Sequence, residues 1–464
     1  MKKKLEYLFL VLILIFGFFL RIYKLGVPSF WIDESISSIV SMNILQKALP
    51  ILDSGLFYSR AYVFHYLQAF FLLFAKTDFL ARLPSVIFGL LTIILAYKIG
   101  KEYSKTGGII SALFFSVFYL EVFYSRQARF YQLFQLMFFL SIYFLYKSKN
   151  NPKYLYASLI SFFITINTQI AGLVLAPFFI FYIFVENKDW KKYLAILPGI
   201  PLIWKFISLF SLTSKSGESA INYASQYFVY TANIIYLFIL FIFGSAWAFI
   251  KNKKLTFLII TPSIILLIGI FALRTFALRY AYFFVFPLVL YSSLLLSFLY
   301  EKYGKIMLIL IVFMLIFPSN LIFPHTAVNL IKPIDYNYND FSSPEINLKN
   351  IPQDLINNIK NSQLICLFSP SIEWYLDIKP NYVFAFSMDK LGNDSISYGE
   401  TNKVDVYSGA QIIYKKPENL ENYYVIADYY SVSKLKPSQF ENFNETIANC
   451  SISYENNDLR VYGC

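Results

Sequence analysis

The sequence predicts a polytopic α-helical membrane protein of about eleven spans with a C-terminal extracytoplasmic α/β domain. Three observations support this. The 464 residues are 57% hydrophobic and only 15% charged, whereas soluble domains are about a quarter charged. Apolar runs of bilayer-crossing length recur up to residue 322, after which the chain turns polar. Lysines bunch between these runs, for example at Lys2–Lys4 and Lys251–Lys254, as positive-inside topology requires.

The basic character of the chain is a topology signal. The formal net charge is +12, but its lysines sit between apolar runs, which excludes a nucleic-acid surface. The N-terminal run Leu5–Leu20 could be a signal peptide. It lacks a small-residue cleavage site and is followed by many similar runs, so we predict an uncleaved first span with a cytoplasmic N-terminus.

Placing the lysine clusters in the cytoplasm fixes the order of the spans. The membrane domain then covers residues 1–322 and contains a first external loop at 23–79. Residues 154–186 exceed one crossing, since a spanning helix needs ~20 residues, and are split at Asn167–Gln169 into two short helices. The other predicted spans are 5–22, 80–99, 107–122, 130–147, 193–211, 228–249, 255–273, 280–299 and 306–322.

The segment 61–75 within the first loop has two interpretations. As a membrane span it would reverse the orientation of everything after it and put the lysine clusters outside. As a helix lying in the interface, with His65 and Gln68 on one side, it keeps the topology intact. We prefer the interfacial helix.

Residues 323–464 predict a small α/β domain. Strands are expected at 362–369, at 381–386 and at 422–430, and a short helix at 370–377 begins with a proline. The chain ends in a hairpin that turns near Asn457. Cys450 and Cys464 would then lie opposite each other, close enough for a disulfide bond in an external compartment. The alternative is two unpaired buried thiols.

The arginines are divided from the lysines in a way that topology alone does not explain. Only 8 of the 40 basic residues are arginines, and none lies in a lysine cluster. Arginine suits planar, bidentate recognition of phosphate or carboxylate, so this distribution predicts an anion site at the outer membrane face. Seven arginines map near that face: Arg21, Arg60, Arg82, Arg126, Arg129, Arg274 and Arg279.

Some of these arginines have a simpler explanation. Interfacial basic residues often anchor helices against lipid phosphates, and we expect this of Arg21 and Arg60. The explanation fits the clusters at 125–132 and 274–280 less well, because their arginine pairs lie among Tyr and Gln residues. Polar clusters at span ends are candidates for a functional site.

Asp33 and Glu34 are the only carboxylate pair close to the end of a predicted span. Next to a phosphate site, a carboxylate can take a proton from an incoming nucleophile while arginines stabilise the departing phosphate. The alternative is a helix N-terminus, where carboxylates are also favoured. The sequence has two histidines and no Walker loop, Rossmann fingerprint or zinc spacing, which argues against nucleotide hydrolysis, hydride transfer and a His-rich metal site.

Four blocks, taken together and in order, resemble the GT-C fold membrane glycosyltransferases of the protein-mannosyltransferase and aminoarabinose-transferase type. That resemblance covers roughly residues 20–300 and implies a polyprenyl-phosphate sugar donor. One departure is that many relatives have a His-Pro-Pro stretch in the first loop, whereas this chain has His65 without the prolines. The blocks are 21–35, 81–103, 122–136 and 279–291.

The resemblance implies roles for particular residues. Asp33 corresponds to the proposed catalytic base, with Glu34 beside it. The donor phosphate would be bound by the arginine-rich block after the third span and the Arg-Tyr block before a late span. The donor-phosphate candidates are Arg126, Arg129, Arg279, Tyr280, Arg82 and Tyr131. His65 and Arg274 are candidate contacts to donor or acceptor.

The sequence therefore predicts an inverting glycosyltransferase of the plasma membrane that transfers a sugar from a dolichyl or undecaprenyl phosphate at the outer face. Its partners would be the lipid-linked donor, membrane lipid and a glycan, lipid or protein acceptor. No cofactor is assigned, and a divalent metal at Glu34 is left open. The alternatives are a transporter of lipid-linked sugars, which would need matching arginine sites on the cytoplasmic face, and a non-catalytic scaffold.

Overall fold

A computed structural model describes residues 3–186, 235–271, 278–319, 346–384, 395–398 and 402–464. The chain forms two compact units. The membrane unit contains Met1–Leu25 and Arg82–Ser342, and the loop–sheet unit contains Gly26–Ala81 and Ser343–Cys464. Residues of the first long loop therefore belong to the same unit as the C-terminal residues.

Apolar helices make up the described part of the membrane unit. Helices α2 and α3 lie in the first loop and belong to the loop–sheet unit. The α-helices up to residue 319 are α1 Lys3–Ile22, α2 Ile32–Lys47, α3 Tyr62–Leu72, α4 Asp78–Lys101, α5 Lys105–Val117, α6 Tyr119–Ser125, α7 Tyr131–Lys147, α8 Lys153–Thr168, α9 Ala176–Glu186, α10 Ile235–Lys251, α11 Lys253–Phe271, α12 Leu278–Ala281, α13 Val285–Tyr303 and α14 Met307–Ser319.

Four helices in the described residues are long and apolar enough to cross a membrane, or five if a bent pair counts as one span. Helix α8 ends at Thr168, inside the break predicted at Asn167–Gln169. The predicted span 193–211 and the start of the next one lie outside the described residues. The number of spans and their orientation thus stay predictions. The four helices are Lys4–Ile22, Asp78–Lys101, Lys253–Ile270 and Arg279–Phe313.

The predicted third span is bent rather than continuous. Helices α5 and α6 meet at an angle of 59°, because the backbone at Phe118 is extended. Such a break leaves carbonyl groups without a helical partner. The Arg21 guanidinium fills that role, donating from Nη1 to Ser116 O at 2.9 Å and from Nη2 to Phe115 O at 3.0 Å.

This contact corrects one expectation from the sequence. Arg21 does not anchor α1 against lipid phosphates, since its side chain is fully buried. It stabilises the break between α5 and α6 from the neighbouring helix. Arg60, for which the same role was expected, is exposed.

Helix α3 has 11 residues, which is about 16 Å at 1.5 Å per residue. It is too short to cross a hydrocarbon core of about 30 Å, so segment 61–75 does not form a span. Its polar residues face into the loop–sheet unit. Gln68 accepts a hydrogen bond from Ser41 Oγ at 2.6 Å and donates to Ala81 O at 2.9 Å.

The C-terminal part of the loop–sheet unit is an eight-stranded mixed sheet with flanking helices. The strand order is β3-β4-β5-β2-β1-β6-β8-β7. The central strands β5, β2, β1 and β6 are parallel, and the outer pairs are antiparallel. The elements are α15 Gln353–Lys360, β1 Gln363–Cys366, α16 Ser369–Leu376, β2 Tyr382–Phe384, β3 Ser395–Tyr398, β4 Asn402–Asp405, β5 Gln411–Ile413, β6 Tyr423–Asp428, α17 Tyr429–Val432, α18 Pro437–Ile447, β7 Ser451–Glu455 and β8 Leu459–Gly463.

Strand β1 shows why its sequence reads as a nearly continuous apolar run. Leu364 and Cys366 pack into the core on one face of the sheet, and Ile365 packs into the core on the other. A parallel strand covered on both faces has no solvent side and needs no polar alternation. This is the basis on which the strand was predicted.

The sheet agrees with most of the sequence pattern. Strands β1, β2 and β6, helix α16 and the terminal hairpin lie where they were predicted. Strands β3 to β5 were missed, because they are short, and β3 and β4 are polar. In the hairpin Ser451 pairs with Gly463, which brings Cys450 and Cys464 together as the predicted disulfide.

Candidate active site

Arginines of the membrane unit are unusually buried. Arg82, Arg126 and Arg129 are at most 7% exposed, whereas Arg279 is half-buried. A guanidinium removed from water must be bound by acceptors or aromatic faces. What each arginine contacts therefore decides how much of it is available for a phosphate.

Arg126 lies in the turn between α6 and α7 and binds the end of α1. Its Nη1 atom lies 2.7 Å from Tyr23 O and 3.0 Å from Leu20 O. Carbonyls at a helix C-terminus carry negative partial charge and favour a cation. Arg82 makes a similar contact, from Nη1 to Leu25 O at 2.8 Å. One amino group of each arginine is thus used to hold the backbone.

Arg129 and Arg279 are held by aromatic rings. The Arg129 guanidinium carbon lies 5.5 Å from the centroid of Tyr131 and 4.9 Å from that of Phe130. The Arg279 guanidinium carbon lies 5.5 Å from the centroid of Tyr280. An aromatic face attracts a guanidinium and orients its plane. Two of the predicted arginines therefore lie beside their predicted tyrosines.

A buried polar network lies beside these arginine segments, and the sequence did not reveal it. Glu121 on α6 accepts a hydrogen bond from Gln135 Nε2 at 2.8 Å through Oε1 and from the Tyr282 hydroxyl at 2.9 Å through Oε2. The same hydroxyl lies 2.6 Å from Gln132 Oε1. Gln132 Nε2 donates onward to Thr92 Oγ1 on α4 at 2.9 Å. The only signal in the sequence is the i, i+3 spacing of the two glutamines on α7.

The acidic pair lies in the loop–sheet unit, at the start of α2. Helix α2 begins at Ile32, so Asp33 and Glu34 occupy its first turn, where carboxylates interact favourably with the helix dipole. Glu34 is fully buried, and its Oε2 accepts a hydrogen bond from the backbone N–H of Trp31 at 3.4 Å. Asp33 is partly exposed. Glu34 thus fixes the helix start, and Asp33 is the carboxylate that solvent reaches.

Residues of the C-terminal domain hold the loop that carries this pair. Tyr375 accepts a hydrogen bond at its hydroxyl from Phe30 N at 2.6 Å and donates to Asp78 Oδ2 at 2.8 Å. Trp374 Nε1 donates to the other oxygen of Asp78 at 2.8 Å, and Lys349 pairs with the same carboxylate at 2.6 Å. The segment just before α2 is therefore held by Tyr375, which lies 345 residues away in sequence.

The remaining predicted site residues are placed as follows. His65 on α3 is fully buried in the loop–sheet unit, with its ring packed edge-on against Tyr58 and Phe64 at centroid distances of 5.6 and 5.7 Å. Arg274 lies outside the described residues. Within the described ranges, no group of three or more His, Cys, Asp or Glu side chains is arranged to hold a metal ion.

Two carboxylates in the loop–sheet unit, Glu373 and Asp53, have pKa values shifted in opposite directions. Burial raises the pKa of Glu373 on α16 to about 8, and the negative charges of Asp53 and Asp405 act in the same direction. Burial alone would also raise the pKa of Asp53. The hydrogen bonds and positive charges of Lys379 and Lys47 outweigh the effect of burial and hold the pKa of Asp53 below its ordinary value.

Comparison with known proteins gives the class of fold first. Residues 59–212, about a third of the chain, match the family model of dolichyl-phosphate-mannose-protein mannosyltransferases. No curated protein sequence matches the chain significantly. The fold is that of the GT-C membrane glycosyltransferases, so the resemblance inferred from the sequence is confirmed.

Two solved structures illustrate the likeness. ArnT from Cupriavidus metallidurans bound to undecaprenyl phosphate matches with a TM-score of 0.59 and 12% identity, over 100% of this chain and 98% of that chain. The archaeal oligosaccharyltransferase AglB from Archaeoglobus fulgidus, in complex with an inhibitory peptide and a dolichol-phosphate, matches with a TM-score of 0.55 and 12% identity. That match covers 94% of this chain and 71% of AglB. At this identity the likeness shows the fold alone.

Proposed function

We propose that the protein is an inverting glycosyltransferase that moves a sugar from a polyprenyl phosphate to an acceptor at the outer face of the cell membrane. The observation that carries the proposal is the match of residues 59–212 to the mannosyltransferase family. A fold shared end to end with an enzyme bound to undecaprenyl phosphate supports it. By analogy with the lipid phosphates in ArnT and AglB, the donor of this chain is a dolichyl- or undecaprenyl-linked sugar.

The arginine segments of the membrane unit are proposed to bind the donor phosphate. Arg129 and Arg279 are the strongest candidates, since aromatic rings orient their guanidinium groups. Arg126 is proposed to contribute its positive charge from the turn between α6 and α7. Tyr131 and Tyr280 orient the cations, and Arg82 fixes the chain at Leu25.

Asp33 is proposed to be the general base. Its carboxylate takes the proton from the acceptor hydroxyl, and the acceptor oxygen forms a bond to the anomeric carbon of the donor sugar. The bond from that carbon to the phosphate oxygen breaks on the opposite face, and its electron pair leaves with the lipid phosphate. Arginine N–H donors stabilise the charge that develops there. Glu34 keeps Asp33 in place through the start of α2.

The proposed topology follows the lysine pattern. Residues 1–322 form the membrane domain with eleven spans and a cytoplasmic N-terminus, and residues 323–464 form an extracytoplasmic domain. The disulfide between Cys450 and Cys464 supports the external placement, because disulfides persist in oxidising compartments.

The test uses Asp33→Asn in the full-length protein. Membranes carrying the variant receive radiolabelled dolichyl- and undecaprenyl-phosphate sugars, and label transferred to acceptor is measured. We expect a loss of about 10³-fold, with binding of the lipid phosphate kept within about twofold. Asp377→Asn is the matched control, since Asp377 is an exposed carboxylate of the same unit. Transfer by Asp33→Asn at the wild-type rate would remove Asp33 from the catalytic role.

A further inference from the structure

The buried network around Glu121 joins side chains next in sequence to the three candidate phosphate-binding arginines. Glu121 precedes Arg126 by one and a half helical turns, and Gln132 follows Arg129 at the start of α7. Tyr282 follows Arg279 by three residues, in the short 3-10 turn between α12 and α13. The network thus borders the arginine turn on both sides and also reaches the separate segment that carries Arg279.

Within the described residues, Tyr282 is the side chain that the Arg279 segment contributes to the network. The Tyr282 hydroxyl is within hydrogen-bond distance of Glu121 Oε2 and Gln132 Oε1, which flank the arginine turn. Its ring lies against the ring of Tyr124 with centroids 4.1 Å apart. A second link comes from Gln135 Nε2, which lies 3.5 Å from Tyr282 O. The contacts of the hydroxyl with Glu121 and Gln132, at 2.9 and 2.6 Å, are therefore shorter than this backbone contact.

The burial of these groups makes the arrangement rigid. Glu121, Gln132, Gln135 and Tyr282 are all at most 3% exposed. Water cannot replace a lost partner there, and a buried polar group without a partner costs more than a hydrogen bond normally contributes. The network is also fixed from outside by the hydrogen bond from Gln132 to Thr92 on α4.

We infer that the Tyr282 hydroxyl is a positioning group for donor binding. It sets the distance between the turn that carries Arg126 and Arg129 and the segment that carries Arg279. Glu121 and Gln132 hold the hydroxyl between them, with its single hydrogen directed toward their oxygens. This inference rests on the proposed function, because the arginines are assigned to the lipid phosphate there.

Tyr282→Phe tests the inference with the least disturbance, since it removes the hydroxyl and keeps the ring on Tyr124. The full-length variant is purified in detergent, and binding of undecaprenyl phosphate and dolichyl phosphate is measured with the kcat and donor KM of transfer. We expect the dissociation constant and the donor KM to rise about tenfold, as loss of one hydrogen bond implies. The value of kcat should stay within about twofold, because Tyr282 is not assigned to a bond-making step.

Tyr103→Phe is the matched control. The Tyr103 hydroxyl also joins helices of the membrane unit. It lies 2.9 Å from Thr256 Oγ1 on α11 and 3.5 Å from the Tyr291 hydroxyl on α13, outside the arginine segments. Both variants should lose similar thermal stability, and only Tyr282→Phe should lose donor affinity. Glu121→Gln, which keeps the size and a hydrogen-bond acceptor, should retain more donor affinity than Glu121→Leu.

The outcomes separate this inference from the proposed function. If the wild-type protein binds lipid phosphate, Arg279→Ala weakens that binding and Tyr282→Phe binds as the wild type does, the positioning role is wrong and the proposed function stands. Equal loss of affinity in Tyr282→Phe and Tyr103→Phe would also overturn the positioning role. If the wild-type protein binds neither lipid phosphate, the proposed function and the inference fail together.

Discussion

Two sets of charged side chains, one in each unit, are bound in different ways. In the membrane unit, Arg21 and Arg126 are bound by backbone carbonyls, and Glu121 by a glutamine and a tyrosine. In the loop–sheet unit, Asp53 is bound by Lys47 and Lys379. For Arg21, Arg126 and Glu121, dipoles of the backbone and of neutral side chains thus serve where opposite charges serve for Asp53.

This difference determines what is lost when a charged side chain is removed. A buried cation that holds carbonyls at a helix end or break cannot be replaced by water, so its removal leaves several unsatisfied groups. A surface ion pair loses little when one partner is removed, because water solvates the other. The number of arginines near a membrane face therefore overestimates the number free to bind a phosphate.

Removal of Arg21 should have the largest effect on folding. Arg21→Met deprives the break between α5 and α6 of the donors to Phe115 O and Ser116 O. We expect a loss of about 2–4 kcal/mol and a sharp fall in folded yield, measured by thermal unfolding in detergent. Arg60→Met is the control and should stay within about 0.5 kcal/mol, because Arg60 is exposed. Similar losses in both variants would contradict the structural role of Arg21.

Removal of the disulfide should have the next largest effect on stability. Cys450 and Cys464 are 14 residues apart, and closing a loop of about 15 residues contributes about 3 kcal/mol. We expect Cys464→Ser to lower the melting temperature of the loop–sheet unit by the same amount as reduction of the wild type. A reducing agent should then have no further effect on the variant. A further shift would mean that the stabilisation has another source.

Glu373 makes the stability of the loop–sheet unit depend on pH. Its pKa is about 8 in the folded chain against an ordinary value of 4.5, so the folded state keeps a proton that the unfolded state has released. Stability should therefore fall as pH rises from about 4.5 to 8. Glu373→Gln should remove this fall and gain on the order of 2 kcal/mol at pH 9, measured by thermal unfolding at pH 5 and pH 9. The same slope in variant and wild type would contradict this, and Asp377→Asn serves as the exposed control.

Local pattern explains what the sequence could predict. Hydrophobic runs and lysine clusters located the apolar helices, and the hairpin pattern placed Cys450 opposite Cys464. The aromatic-arginine clusters located Arg129 beside Tyr131 and Arg279 beside Tyr280. Each of these features depends on residues close together in the chain, which is why a single sequence carries it.

The features that the sequence did not reveal depend on distant contacts. The bend at Phe118 is supported by Arg21, almost a hundred residues earlier. The α5–α6 sequence has no proline or glycine at the bend that could have predicted it. The contact of Trp374 with Asp78 spans 296 residues. Glu34 was expected beside the candidate base Asp33. Its burial and its hydrogen bond to Trp31 become visible only in the folded loop.

The smallest expected effect is the loss of an ion pair in the loop–sheet unit. Asp53 is bound by Lys47 at 2.8 Å and by Lys379, whose side chain is 69% exposed. A double-mutant cycle of Lys379→Ala and Asp53→Asn should give a coupling energy of about 0.2–1 kcal/mol, because water solvates the Lys379 ammonium even though Asp53 is only 13% exposed. The value should fall further in 1 M salt, where the Debye length is about 3 Å. A coupling above about 2 kcal/mol that resists salt would show that this pair is shielded from water. The loop–sheet unit would then bind its charges as tightly as the membrane unit does, and the contrast between the units would no longer hold.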